Sequence, residues 1–257
     1  MSALPVRPKL DALRRRIETL ERKGAPAARA GSAFALGPLT VAPGALHEIR
    51  VFGWRDAPAA SGLALAISGK IAARTRKPVV FIREPRGYIS IGRAYACGLS
   101  SFGVDPADII VVSPESAKEA LWATEEAAGA SGVGAVVIEF LKPHKLLDLT
   151  ATRRLQLAAE ASGTTPIFLR SAGDATPSAA RTRWRIAAAP SAADSYDLKA
   201  SGNPRWRVEL EKCRAGGRGA WVLEWDYETG ELREAAVHGR ALPEMADRSF
   251  EEIAAVA

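Results

Sequence analysis

Between Gly53 and Ala64 the sequence carries the outline of a phosphate-binding loop without its working groups. An apolar stretch from Leu46 to Gly53 runs into Trp54-Arg55-Asp56-Ala57-Pro58-Ala59-Ala60-Ser61-Gly62-Leu63-Ala64, and helical periodicity follows. In G-x-x-x-x-G-K-[ST], backbone amides cradle the phosphates, the Lys meets the β/γ-phosphates and the hydroxyl holds magnesium. Gly53 and Ser61-Gly62 keep the turn chemistry here, but eight residues separate the two glycines, and Leu63 and Ala64 stand where Lys and Ser/Thr belong. The missing cation removes a charged hydrogen bond worth roughly 1.5–3 kcal/mol, together with its Coulomb attraction. Arg55 is the nearest replacement. Ser68-Gly69-Lys70 imitates the motif, yet it falls within the helix and Ile71 follows it, whereas phosphate loops use the free amides of a helix start. The pattern predicts no catalysis and no required cofactor. The alternative is an ATP-binding enzyme that uses Arg55 or Lys70 as its phosphate cation.

A second acid position is Glu139, at the end of Ala135-Val136-Val137-Ile138. In nucleotide hydrolases an acid at such a strand end orients magnesium through water. Without its partners, Glu139 reads as a vestigial acid at a sheet edge. A doubled tripeptide, Arg183-Trp184-Arg185 and Arg205-Trp206-Arg207, supplies a different pattern. Strand alternation turns Thr182, Trp184 and Ile186 to one side and Arg181, Arg183 and Arg185 to the other. The second copy sends Trp206, Val208 and Leu210 inward, with Arg205, Arg207, Glu209 and Glu211 outward. Half-buried strands with solvated arginines account for this, and so does a basic face that meets phosphates. Further basic residues fall in expected strand-end loops, Lys142-Pro143-His144-Lys145 and Arg170 to Arg181, where ligands of open α/β sheets collect. His144 reads as a solvated loop residue, and no His/Cys cluster has metal-ligand spacing. The candidate DNA contacts are thus Arg14, Arg15, Arg16, Lys142, Lys145, Arg170, Arg181 and Arg183. A simple non-specific DNA-binding module remains a competing class.

The elements that must position these residues follow from periodicity. Strands are expected at Leu46–Gly53, Pro78–Arg83, Ile109–Ser113, Ala135–Phe140 and Pro166–Arg170, with helices near Ser61–Arg74, Ile89–Leu99, Glu115–Ala128 and Ala151–Ser162. Apolar strands separated by helices indicate a mostly parallel sheet covered on both sides. After Ser171, residues 181–187, 205–213, 220–226 and 231–236 read as an antiparallel extension, and Leu242 to Ala257 as a short helix. Ahead of the core, Leu10, Leu13, Ile17 and Leu20 recur at helical spacing on a basic helix, an apolar stripe that needs a docking surface and a candidate for self-association. Gly24 to Pro43 reads as a linker. The expected division is an arm and linker at 1–43, a core at 44–240 and a terminal helix at 241–257.

Charge is uneven. Residues 1–29 hold eight Lys/Arg against three Asp/Glu, which is +5 of the formal +6, so residues 30–257 carry +1. The basic arm suits nucleic acid, an acidic partner or simple solubility. Cys97 and Cys213 are too few for a metal framework and are expected to be buried thiols of a reducing, cytoplasmic protein. No apolar run approaches the roughly 18 residues of a membrane span.

The order of strand, loop, helix and later acid-bearing strand is similar to the RecA recombinase core. More specifically, the chain resembles the ImuA family, RecA-like subunits of the bacterial SOS mutagenesis cassette. The resemblance rests on Pro43 to Ile49, Glu119 to Ala127, Leu147 to Gly163, Pro177 to Ile186 and Pro204 to Arg214. It implies a RecA-like α/β P-loop core with a central, mostly parallel sheet, an antiparallel C-terminal extension and an N-terminal helical arm. It also implies a role in DNA repair and translesion synthesis after damage. The partners it implies are ImuB, an inactive Y-family polymerase homologue, and an error-prone DnaE-type polymerase, with RecA and DNA as further candidates. The chain departs from RecA at Leu63, at Ala64 and at Pro85, where the activating acid would lie.

Overall fold

The computed structural model describes residues 8–23, 32–84, 95–140, 144–170, 176–194, 197 and 199–235. A small hairpin comes first, β1 (Phe34–Leu36) and β2 (Leu39–Val41). The main sheet is built from β3 (His47–Val51), β4 (Val79–Arg83), β5 (Ile109–Val112), β6 (Ala135–Phe140), β7 (Thr165–Arg170), β8 (Thr182–Ala189), β9 (Arg205–Cys213), β10 (Gly219–Asp226) and β11 (Glu231–Glu234). Their order is β11-β10-β9-β8-β3-β7-β6-β4-β5. Strands β8, β3, β7, β6, β4 and β5 run parallel, and β9, β10 and β11 continue the sheet antiparallel. A mixed α/β fold with a large, mostly parallel central sheet is therefore present, as is the antiparallel extension. The extension starts one strand later than expected: β8 pairs parallel with β3, and only β9 reverses direction.

Helix α2 (Ala57–Thr75) covers one face of the sheet. Its Leu63, Ala64, Ile67 and Ile71 share a core with Ile49, Phe81, Val137, Ile167, Trp184, Trp206 and Trp225. The short α3 (Ala96–Ser101) lies on the same side, bringing Leu99 and Phe102 against that core. The other face is covered by α4 (Ala117–Gly129) and α5 (Leu149–Ser162), which pack on Leu46, Val80, Ile82, Val136, Ile138 and Phe168. Local chemistry sets the limits of both helices. The Ser116 hydroxyl accepts from the Glu119 amide at 3.2 Å and the Asp148 carboxylate from the Ala151 amide at 2.7 Å. Gly163 ends α5 at φ +78, in the left-handed region that glycine enters freely.

Three expectations change. The stretch read as a linker contains the β1–β2 hairpin, turned at Gly37 (φ +54), with Phe34, Leu36, Leu39 and Val41 buried in the α2-side core. The alternation Phe-Ala-Leu-Gly-Pro-Leu-Thr-Val was visible, but its abundance of Ala, Gly and Pro outweighed it. Cys97 is exposed and Cys213 partly so, because Cys97 sits on the outer side of the short α3. The apolar stripe of α1 (Pro8–Lys23) docks on the chain's own body: Leu13 and Ile17 are buried in the cluster that includes Leu121 and Ala128 of α4. Leu10 and Leu20, like the expected helix from Leu242, lie outside the residues whose packing is described.

Gly69 shows why the imitation motif in α2 exists. A Cβ there would come within 2.4 Å of the Phe102 carbonyl oxygen and 2.8 Å of the Gly103 carbonyl group. Only glycine lets the α2 backbone approach the turn after α3 this closely. Neighbouring Lys70 points elsewhere, to Glu231 at 2.8 Å. Replacing Gly69 with alanine is expected to cost about 1–3 kcal/mol in urea unfolding, the range for overpacking; an unchanged midpoint would show that this turn is free to move.

Candidate functional site

The stretch expected to form a phosphate loop is mostly helix. Strand β3 ends at Val51, one 3-10 turn spans Trp54–Asp56, and α2 begins at Ala57. Ser61 and Gly62 therefore lie inside the helix instead of before it. Their amides are spent within the helix, and Pro58 in the first turn has no amide hydrogen to offer. Leu63 and Ala64 are fully buried against the sheet. A Cβ on Gly62 would come within 3.1 Å of the Phe102 ring, so an aromatic side chain occupies the space beside it.

The Asp56 carboxylate, just ahead of α2, is engaged by amides outside that helix. One Asp56 carboxylate oxygen accepts from the Gly53 amide at 2.9 Å, and the other accepts from the Ala188 amide at 2.9 Å. The carboxylate caps no amide of α2 itself; it ties the turn at Gly53 to β8, with its charge close to the positive end of the helix dipole. Arg55 projects outward, with its guanidinium 5.3 Å from the centre of the exposed Trp54 ring.

Glu139 is likewise closed off. It is fully buried at the end of β6, directly across from Arg83 of β4. Arg83 Nε donates to Glu139 Oε2, and the Ser61 hydroxyl lies 2.5 Å from Oε1 while also reaching the Ala57 carbonyl at 3.0 Å. Within this trio the Arg83 guanidinium neutralises the buried acid. Beside this trio opens a mostly apolar cavity of about 470 Å³, lined by Gly62, Arg83, Phe102, Trp206 and Tyr227 among others. Among the described residues no group of three His, Cys, Asp or Glu could hold a metal ion. No described helix is long and apolar enough to cross a membrane.

The expected basic edge divides into exposed and buried members. Arg15 and Arg16 are exposed on α1, and Arg14 lies 4.6 Å over the Trp122 ring and 3.3 Å from Glu126. Lys145 and Arg181 are exposed, and Lys142 lies outside the described residues. Arg170 and Arg183 are corrections, because both serve Glu48, a fully buried carboxylate on β3. Arg170 approaches Glu48 at 2.8 Å and Arg183 at 2.6 Å, while the Ser178 hydroxyl donates to the same carboxylate at 2.7 Å. Arg170 also bonds the Leu147 carbonyl at 3.2 Å. These arginines were expected outside because strand alternation separates two faces but does not say whether the second face is wet. Here α5 and the segment around Ser178 cover it. Burial and the nearby charges of Arg183 and Arg214 also lower the affinity of Lys212 for its proton. Trp184 and Trp206 are buried as alternation requires.

Sequence reasoning passed over His47, Arg83 and Phe52. His47 is fully buried and stacked on Trp184, with ring centres 5.2 Å apart. Its Nδ1 lies 2.6 Å from the Thr182 hydroxyl and its Nε2 3.0 Å from the Ala42 carbonyl, a set that a neutral ring satisfies. Burial, opposed by the Ala42 bond and aided by the charge of Arg181, lowers its pKa to about 4. The available signal was a histidine amid an apolar strand.

Fold and site thus define an α/β protein with a large, mostly parallel sheet whose buried acids Glu48 and Glu139 are neutralised by internal arginines. No protein-family model matches the chain. It is 41% identical over 140 residues to Protein ImuA of Caulobacter vibrioides, in both strain NA1000 / CB15N and strain ATCC 19089 / CIP 103742 / CB 15. The match covers 51% of this chain and 55% of each relative, so the chain spans just over half the length of the curated relatives it matches. The chain is ImuA-like over that stretch. Among solved structures it is similar to the RadB recombinase, at 14% identity and a TM-score of 0.49, over 75% of this chain and 91% of that one.

Proposed function

We propose that this protein is a non-catalytic accessory subunit of a DNA-damage-induced mutagenesis cassette, acting in the cytoplasm in translesion synthesis. In this reading it assembles with an ImuB-type polymerase homologue and an error-prone DnaE-type polymerase. One observation carries the non-catalytic part: Arg83 neutralises the buried Glu139, while Leu63 and Ala64 lie in the core and offer neither a cation nor a hydroxyl. The ImuA likeness supports the cassette. DNA contact, where it occurs, rests on exposed Arg15, Arg16, Lys145 and Arg181, because Arg170 and Arg183 are engaged inside.

The test is a titration with ATP and magnesium, coupled to a phosphate-release assay. The expected result is no saturable binding and no turnover above a buffer control. Restoring the motif residues at Leu63 and Ala64 should not create activity, because both positions face the core instead of a ligand. Turnover that Gly62→Asp abolishes would overturn the non-catalytic reading. The assembly half is tested by co-purification with an ImuB-type protein, and absence of a complex at micromolar concentrations would sink it.

A further inference from the structure

On the sheet face turned away from α2, several arginines of β3, β8 and the extension are neutralised by acids. Arg50 meets Glu211 at 3.0 Å, Arg183 meets Glu48 at 2.6 Å, and Arg205 and Arg233 share Glu224 at 2.5 and 2.8 Å. Arg185 and Arg207 are different. Both guanidiniums pack on the half-buried Phe52, with centres 3.8 and 4.2 Å from the ring centroid. Neither has a carboxylate partner among the described residues. Strand register builds the cluster: the Phe52 amide donates to the Ile186 carbonyl at 3.0 Å, and Arg207 lies across from Ala187. Just beyond the strand, Trp54 is 58% exposed beneath the guanidinium of Arg55.

A guanidinium held against a ring keeps its N–H donors directed outward in its own plane and is already immobilised. Arginine beside exposed aromatic side chains is the composition of interface centres where binding energy concentrates. Two features favour a protein over a nucleic acid. Glu209 lies across from Arg185 in register, and the Asp56 carboxylate sits next to Gly53, so an evenly charged phosphate chain would meet like charge. In addition, residues 30–257 carry a net charge of only +1, which gives little long-range attraction for a polyanion. A protein segment can place carboxylates on the arginines and a neutral side chain beside Glu209.

We propose that the surface formed by Phe52, Arg185 and Arg207, with Trp54 and Arg55 at its margin, docks an acidic segment of a protein partner. The inference does not depend on which partner that is. The probe is a fluorescein-labelled peptide of alternating Glu, Leu and Gly, read by anisotropy against the full chain near physiological salt. Saturable binding is expected, weakened about tenfold or more by Arg185→Glu with Arg207→Glu, the kind of loss that follows reversal of centrally placed charges. Arg185→Gln with Arg207→Gln provides a milder pair that keeps the fold, checked by circular dichroism, and should also weaken binding. The equal charge change Lys118→Glu with Arg153→Glu, on exposed positions of α4 and α5, should leave it within about twofold. The proposal is overturned by no saturable binding, by equal losses in both charge-reversed pairs, or by oligothymidine binding that depends on Arg185 and Arg207 while peptide binding does not. Should an ImuB-type protein fail to bind while the peptide behaves as expected, the cassette assembly falls and this surface stands.

Discussion

Replacing Arg83 with alanine is expected to lower the unfolding free energy by about 3–5 kcal/mol, the usual loss when one partner of a buried ion pair is removed. The cause is Glu139, which is fully buried near the end of β6 and would keep, among the described residues, the Ser61 hydroxyl as its side-chain partner. Replacing both members, Arg83→Met with Glu139→Leu, should recover most of that loss, because paired charges and a well-packed apolar pair are often close in energy. The same variant tests the reading of the site. With the guanidinium gone, Glu139 is a buried carboxylate beside the Ser61 hydroxyl with its countercharge removed. If magnesium and ATP together raise the melting temperature of Arg83→Ala but not of the native protein, a suppressed nucleotide site lies beneath the ion pair. If they do nothing, the acid is structural.

The second large effect concerns acid stability. Buried His47 has a pKa of about 4 against an ordinary 6.5, chiefly because burial disfavours the charged ring. As pH falls, the unfolded chain takes up this proton near pH 6.5, whereas the folded protein resists until near pH 4. His47 therefore contributes its full stability above pH 6.5, and the contribution is lost progressively as pH falls from 6.5 to about 4. At about 1.4 kcal/mol per pH unit, the loss is roughly 3 kcal/mol. Urea titrations at several pH values, with His47→Gln as reference, should show the native protein losing about that much more than the variant across the window. The variant starts lower, because it loses the stacking on Trp184. Parallel curves for the two proteins would place the acid sensitivity elsewhere.

Most of the sheet could be read from the chain alone. The unbroken apolar run at Ala135–Phe140 and the alternating segment Arg205–Cys213, with Trp206, Val208 and Leu210 on one side, became strands with those limits, because such patterns leave few other ways to bury their apolar positions. Helix α4, expected near Glu115–Ala128, spans Ala117–Gly129, and its starting bond from the Glu119 amide to the Ser116 hydroxyl is local. The absence of a phosphate-loop lysine and hydroxyl was likewise a property of the sequence itself. It needed no coordinates.

What the sequence left open depended on contacts between distant residues. It could not show that α2 begins at Ala57, which puts Ser61-Gly62 in a helix interior, nor that the preceding Asp56 bonds the Ala188 amide on another strand. It placed Glu139 at a strand end but not opposite Arg83, because strand register is set only when β4 and β6 pair. It assigned Arg170 and Arg183 to solvent, whereas both turn inward to Glu48, more than 100 positions away in the chain. Alternation fixes which side of a strand a residue occupies. Whether that side meets water, a buried carboxylate or an aromatic ring such as Phe52 is decided by what packs there, and a charge keeps a buried position only where the tertiary fold supplies its counter-charge.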